Sequence, residues 1–237
     1  MEIDVKNITQ RLENYNNFIL SDPNSHFKKS AVLILLLLRE NTFHMILTAR
    51  TKNLNHHSGE MSFPGGRYDP KMDKSLKNTA LREVAEEIGV EASQIRILGR
   101  LNDTPTLTGY NISSFIGFIS NSHSISYKQN FGEVADIVEI PLEFFTQSDV
   151  IKERSLPMQF GKAFLLLSCE YLPPDNQKSY HIWGATAHII ADFFEVCLNT
   201  KITSPQYIRP TLKDLLDYTK LVKNHKKKGE KGRKRIK

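Results

Sequence analysis

The feature that most constrains this chain is a glycine turn followed by a segment crowded with carboxylates. Residues 65–73 read GGRYDPKMD, and residues 82–90 read REVAEEIGV. In a helix over the second segment, Glu86 and Glu87 lie about 60° and about 40° to either side of Glu83, with the aliphatic residues opposite. Because these carboxylates repel one another, we expect them to hold a cation, and hard oxygen ligands suit Mg²⁺ or Mn²⁺. An acidic solvated helix face is the alternative.

The same residues resemble the Nudix box, whose usual form is G-x5-E-x7-R-E-U-x-E-E-x-G-U, with U an aliphatic residue. Residues 82–90 match its second half at every position. The first half departs from it, because Gly66 as the opening glycine leaves Asp73 in the glutamate position, with spacing G-x6-D-x8-R-E. The resemblance implies an α/β fold, in which a mixed β-sheet is sandwiched between α-helices. It also implies a metal-dependent hydrolase that acts on a diphosphate linkage.

The segment upstream of the box resembles one Nudix branch, the coenzyme A diphosphatases, whose signature is approximately L-L-T-x-R-S-x3-R-x3-G-x3-F-P-G-G. Residues 47–66 carry this pattern, with Thr51 in place of a small residue and Asn55 in place of the second arginine. Similarity to the branch continues at residues 104–110, 133–142 and 182–186, so it covers roughly residues 30–200. This resemblance implies that the substrate is coenzyme A or an acyl derivative.

The resemblance also implies roles for the helical side chains. Glu83 and Glu87 would be the principal metal ligands, and Glu86 an additional ligand or a water-orienting base. Arg82 would hold Glu83 in its ligating position through a charge-assisted hydrogen bond. From outside the helix, Glu133 is the predicted further ligand or general base. Asp136 and Glu139 compete for that last role, and a solvated acid on an edge strand is the alternative.

Further residues are predicted to contact the substrate. Arg50 and His57 lie in the branch-specific stretch and are candidates for phosphate contacts, with an ordinary salt bridge and a loop histidine as the alternatives. Gly65 and Gly66 either let the backbone approach phosphate or form a plain turn. The only tryptophan, Trp183, is interpreted as a buried aromatic at a strand-to-helix junction rather than as a stacking platform for adenine.

Charge divides the chain into a near-neutral body and a basic end. Residues 223–237 contain nine Lys or Arg and one Glu, so the remainder of a chain whose net charge is +6 carries about −2. We predict a helical extension over 1–24, a Nudix domain over 25–200, a helix over 201–222 and a disordered tail over 223–237. The tail is either a disordered, solubilising extension or a weak, nonspecific contact for the phosphates of nucleic acid or of an acidic membrane surface.

Periodicity predicts the elements of this body. An amphipathic helix is expected over residues 4–20 and an apolar helix over 185–197. A polar turn at Glu40 and Asn41 separates the first two predicted strands, and Gly89 is expected to end the acidic helix. The predicted strands cover residues 31–39, 43–49, 95–101, 113–119, 134–139, 163–171 and 180–183.

Cysteine content and hydropathy exclude several protein classes. Two cysteines without C-x-x-C spacing argue against a disulfide framework or a zinc site. The longest apolar run, residues 31–38, is too short to span a bilayer, so a cytoplasmic location is expected. Two other functions stay open at this point. One is a Nudix diphosphatase for ADP-ribose, a dinucleotide or a damaged nucleoside triphosphate; the other is a non-catalytic Nudix module that binds nucleotides or RNA.

Overall fold

The first long strand explains the layered architecture. In the computed structural model, strand β1 (Lys28–Arg39) is buried along most of its length. Leu33 and Leu35 belong to one hydrophobic cluster, whereas Ile34 and Leu36 belong to another. Because successive side chains of a strand point to opposite faces, a strand buried on both faces needs a layer on each side. The structure describes residues 3–20, 27–51, 60–120, 125–157, 163–175 and 178–209.

Strand β1 lies inside a mixed sheet, to which seven strands of the described residues contribute. The other strands are β2 (Thr42–Arg50), β3 (Met61–Ser62), β4 (Gly65–Arg67), β5 (Ile95–Pro105), β6 (Tyr110–Ile119) and β7 (Val134–Pro141). Strand β1 pairs in parallel with β6 and antiparallel with β2 and β4, while β5 pairs with β6 and both β3 and β7 pair with β2. Glu40 and Asn41 form the turn between β1 and β2 at positive φ, as expected for a tight hairpin.

Helices cover both faces of this sheet, which confirms the predicted α/β architecture. Helix α2 (Leu76–Ile88) packs on one face through Val84 and Ile88. On the other face lie helices α1 (Val5–Glu13) and α3 (Gly184–Leu198). A second sheet packs with α3 and is formed by β8 (Lys152–Pro157), β9 (Ala163–Tyr171) and β10 (Tyr180–Trp183).

The N-terminal helix is shorter than predicted. It begins after the Asp4 side chain, which accepts a hydrogen bond from Lys6 N–H, and it ends at Glu13. Beyond it, the N–H groups of Phe18 and Leu20 donate to side chains of β5, at 2.7 and 2.9 Å. These bonds replace the hydrogen bonds that a continued helix would make, so the prediction of a helix to residue 20 was wrong.

The predicted C-terminal helix, residues 201–222, is described by the structure over residues 201–209. Residues 201–209 are irregular rather than helical. The rest of the predicted helix, residues 210–222, and the basic tail at 223–237 lie outside the described residues. Among the helices of the described residues, none has the length and apolar character needed to cross a bilayer.

Candidate active site

Helix α2 presents the acidic side chains, and local signals fix both of its ends. The Ser75 hydroxyl accepts a hydrogen bond from Asn78 N–H at 3.2 Å in the first turn. Gly89 ends the helix in the left-handed conformation, with φ of 71°, as predicted. The helix therefore begins and ends at residues that its own sequence specifies, and its register on the sheet follows from the buried Val84 and Ile88.

The guanidinium of Arg82 is the centre of a charged network. Its Nε and one terminal nitrogen donate to the Asp73 carboxylate at 2.9 and 3.1 Å. The same terminal nitrogen lies 2.9 Å from Glu83 Oε1, and the other lies 2.8 Å from Glu86 Oε2. The bond to Asp73 is the main reason why the pKa of Arg82 rises above its usual value. Arg82 thus contacts three of the acids in the box at once.

Asp73, the residue in the altered glutamate position, is engaged by the turn around it. It is 4% exposed and accepts hydrogen bonds from Thr79 Oγ1 at 2.9 Å and Asp69 N–H at 3.0 Å, in addition to those from Arg82. The hydrogen bonds from Arg82 are the largest cause of a pKa lowered to about 2. This geometry makes Asp73 a positioning residue for Arg82 and for the start of α2.

Glu87 has the environment expected of a metal-facing carboxylate. It is 3% exposed, and among the described residues its Oε2 has no hydrogen-bond partner. Its pKa is raised to about 8, chiefly by burial and also by the nearby charge of Glu83, while Arg50 and the Gly65 N–H oppose this rise. Burial also raises the pKa of Glu83. Buried, mutually repelling carboxylates with an unsatisfied oxygen fit a hard divalent cation.

The two glycines of the turn lie directly beside these acids. A Cβ atom on Gly66 would lie 2.3 Å from Glu83 Oε1, whereas one on Gly65 would lie 2.4 Å from the carbonyl oxygen of Ala31. Both glycines are held by pairing of β4 with β1. Gly66 therefore provides the space that the Glu83 carboxylate occupies, and Gly65 lets β4 lie against β1.

The structure brings Glu133 to the acidic pair from outside the helix. Its charge raises the pKa values of both Glu83 and Glu87. The loop that carries it is joined to α2 by a hydrogen bond from Asn130 N–H to the Glu87 carbonyl oxygen at 3.0 Å. It is also joined to the end of β2 by one from Thr51 N–H to the Glu133 carbonyl oxygen at 3.0 Å.

The two competing acids are engaged elsewhere. Asp136 pairs with Lys178, and Glu139 pairs with Arg39 at 2.6 Å. Tyr127 also donates to Glu139, at 2.6 Å. Neither acid is among the main causes of the pKa shifts of the pair in α2, whereas Glu133 is. The arrangement therefore favours Glu133 for the role of a ligand or base delivered from outside α2.

Glu86 differs from the other two helical acids. Its side chain is half exposed and pairs with Arg82. In the part of the chain that the structure describes, no three Asp, Glu, His or Cys side chains already form a complete cluster of metal ligands. Glu86 is thus more exposed than Glu83 and Glu87, and its carboxylate is paired with Arg82.

A cavity of about 760 Å³ is lined by Gly65 and Gly66, the glycines next to the acidic pair, although Glu83 and Glu87 themselves are not part of its lining. Arg50 also lines it, so three of the predicted substrate residues share one space. The fourth, His57, lies outside the described residues. Another cavity, of about 850 Å³, lies between α1 and α3 and is lined by none of the predicted site residues, so it is not the candidate site.

Sequence reasoning missed the far wall of this cavity. Trp183, which was expected to be buried, is 39% exposed and lines the cavity together with Leu166 of β9 and Arg209 of the C-terminal segment. The expectation was wrong because Trp183 lies at the end of an edge strand, where one side of the residue faces the cavity. The following residue, Gly184, has φ of 62°, and a tryptophan next to a glycine at a strand-to-helix junction was the available signal.

Comparison with known proteins decides the family. The Nudix domain family model matches residues 27–157, which is more than half of the chain. This chain belongs to the Nudix family. A mouse Nudix protein, peroxisomal coenzyme A diphosphatase NUDT7, is 30% identical over 68% of this chain and 66% of its own length. The uncharacterised Nudix hydrolase NudL of Yersinia enterocolitica is 39% identical over 50% of this chain and 58% of its own length.

Similarity among solved structures is weaker. The Nudix domain of Shewanella oneidensis NrtR, solved with ADP-ribose, has a TM-score of 0.42 and 21% identity, covering 56% of this chain and 82% of that one. The chain spans somewhat less than two thirds of the length of the two Nudix relatives named above.

Proposed function

We propose that this Nudix protein hydrolyses the diphosphate linkage of coenzyme A or acyl-coenzyme A. The products would be 4′-phosphopantetheine, or its acylated form, and adenosine 3′,5′-bisphosphate. The observation that carries the proposal is the buried Glu87, which has an unsatisfied oxygen and lies beside the partly buried Glu83, next to glycines that line the same cavity as Arg50. The choice of coenzyme A is supported by the branch signature and by the similarity to the mouse coenzyme A diphosphatase.

Each group in the site has a role in this reaction. Glu83 and Glu87 would hold Mg²⁺ or Mn²⁺, which when bound offsets phosphoryl charge and lowers the pKa of water. Arg82 keeps Glu83 in place through the 2.9 Å ion pair. Glu133 would accept the proton of the attacking water, with Glu86 as the other candidate base. Arg50 would contact phosphate oxygens through its planar guanidinium.

The direct test is hydrolysis of a substrate panel by the full chain. Coenzyme A, an acyl-coenzyme A, ADP-ribose, a dinucleoside polyphosphate and an oxidised nucleoside triphosphate are incubated separately with Mg²⁺ or Mn²⁺, and the products are resolved by chromatography. We expect coenzyme A or its acyl form to be cleaved fastest and a chelator to abolish turnover. Rapid hydrolysis of another nucleotide, with coenzyme A left intact, would contradict the assignment of coenzyme A as the substrate. If none of these compounds is hydrolysed, the result favours a non-catalytic binding module.

A single substitution tests the metal-facing role of Glu87. Glu87→Gln removes one ligand charge while keeping the volume of the side chain, so kcat is expected to fall by orders of magnitude with the fold intact. Glu143→Gln removes a charge from an exposed glutamate elsewhere and serves as the matched control. Circular dichroism checks the fold. A Glu87→Gln protein with the kcat of the control would show that Glu87 holds no catalytic ion.

A further inference from the structure

The cavity beside the acidic pair is built partly by residues beyond the Nudix family match. That match ends at residue 157, but Leu166, Trp183 and Arg209 all line the cavity. The hydroxyl of Thr186 donates to the carbonyl oxygen of Met61 at 3.0 Å, which ties the start of α3 to β3 on the catalytic side. The later part of the chain therefore forms one wall of the space in which the substrate would lie.

Trp183 is held firmly on this wall. Strand β10 pairs with β9 up to the position of Trp183 opposite Ser168. Directly after it, Gly184 turns the chain into α3 with φ of 62°, a conformation that other residues adopt only with strain. The backbone on both sides of Trp183 is thus fixed, yet 39% of the residue stays exposed. A large aromatic residue that is fixed in this way provides a rigid surface for a ligand at little cost in conformational entropy.

The rest of the cavity lining indicates what kind of group would lie against Trp183. Leu107 and Tyr110 add apolar area, while Ser62 and Thr108 add hydroxyl groups. A nucleobase needs both, because its faces are apolar and its edges carry hydrogen-bonding atoms. Arg50, which faces the acids of α2 electrostatically, lines the same cavity as Trp183. One bound molecule would therefore place its base against Trp183 and its diphosphate near Arg50 and the acids.

We propose that Trp183 is the stacking surface for the nucleobase of the substrate and a determinant of specificity. This inference depends on the proposed function, since it assigns the nucleotide end of a diphosphate substrate to the wall formed by β9, β10 and α3. The phosphopantetheine end then extends away from Trp183. Stacking on an aromatic side chain stabilises a bound base enough to change affinity by roughly tenfold.

The sole tryptophan of the chain allows a direct test. The whole chain, kept free of metal with a chelator, is titrated with adenosine 3′,5′-bisphosphate and separately with 4′-phosphopantetheine, and tryptophan emission is recorded. Free N-acetyltryptophanamide corrects for absorption by the ligand. We expect saturable quenching by the bisphosphate and none by phosphopantetheine. Quenching by phosphopantetheine alone, or by neither compound, would overturn the proposal.

Kinetics of two variants complete the test. Trp183→Leu is expected to raise the KM for coenzyme A by roughly tenfold with kcat little changed, whereas Trp183→Phe keeps an aromatic face and should restore most of the loss. An unchanged KM in Trp183→Leu would show that the residue is only part of the wall. If Trp183→Leu fails to fold, the KM of Trp183→Phe and the fluorescence titration still test whether Trp183 stacks on the base. Absence of coenzyme A turnover in the wild type, with quenching by the bisphosphate intact, would reject the proposed substrate and not the stacking site.

Discussion

At the scale of single residues, the adjacent glycines of the turn have different constraints. A side chain at Gly66 would meet the Glu83 carboxylate, whereas one at Gly65 would meet the backbone of β1. If Glu83 holds the ion as proposed, Gly66→Ala should displace its carboxylate and lower kcat by on the order of tenfold to a hundredfold, with little change in stability. Gly65→Ala should lower the free energy of unfolding by roughly 1–3 kcal/mol, because the backbone must shift.

Urea unfolding and steady-state kinetics on both alanine variants separate these effects. Equal losses of stability in the two would show that Gly66 has no particular relation to Glu83. Loss of kcat in Gly65→Ala without loss of stability would contradict the assignment of its contact to β1.

Some contacts of the site residues were predictable from the sequence, and others were not. Helical spacing alone placed Glu83 and Glu87 near one another, because three and four residues separate neighbours on a helix. It did not reveal that Asp73 binds Arg82, since the turn between them is longer than the usual box. It also did not reveal the exposure of Trp183, because that depends on a cavity whose walls come together only in the tertiary structure.

At the scale of elements, the turn before α2 is fixed by the buried carboxylate of Asp73. Arg82 lowers its pKa to about 2, so the ionised form stabilises the fold above the ordinary aspartate pKa, and this contribution is lost as the pH falls towards 2. The shift from 3.8 corresponds to about 2 kcal/mol of stability at neutral pH.

The wild type and Asp73→Asn should therefore differ in free energy of unfolding by about that amount at neutral pH, and the difference should shrink as the pH falls from about 4 towards 2. Urea denaturation of both proteins between neutral pH and about pH 2 measures this difference in free energy of unfolding. Groups away from Arg82 titrate alike in both proteins, so the difference reports on Asp73 and on the acids that share Arg82 with it. A gap that stays constant with pH would show that Asp73 stabilises through shape rather than charge.

Elements with local signals were predicted well, and those that depend on distant partners were not. The cap at Gly89, the hairpin turn at Glu40 and Asn41 and the apolar run of β1 all follow from local sequence. Strand β8 was not predicted, since KERSLP has little alternation and becomes a strand by pairing with β9. Helix α1 was predicted too long because its end depends on hydrogen bonds to β5.

At the scale of the whole molecule, the segment after α3 returns to the domain and completes its core. The Tyr207 hydroxyl lies 2.5 Å from Nδ1 of His188, and Arg209 pairs with the buried Asp192. Arg209 also donates to Thr104 Oγ1 of β5 at 2.9 Å. These contacts join the C-terminal segment to both α3 and the main sheet, next to the cavity. They lie beyond the family match, so the complete cavity depends on more of the chain than the Nudix domain alone.

The ion pair of Arg209 with Asp192 should contribute most to holding the C-terminal segment against the domain. Removing Arg209 leaves a buried carboxylate without its cation, so Arg209→Met should lower the free energy of unfolding by roughly 1–3 kcal/mol and raise the KM for coenzyme A. The double variant Arg209→Met with Asp192→Asn should recover part of the lost stability, because no buried charge then stays unpaired. Urea unfolding of the wild type, both single variants and the double variant measures the coupling between the two side chains. If the two substitutions change the free energy of unfolding additively, Arg209 holds the segment through Thr104 and packing rather than through Asp192. The KM for coenzyme A would then still rise in Arg209→Met, although the two side chains would show no coupling.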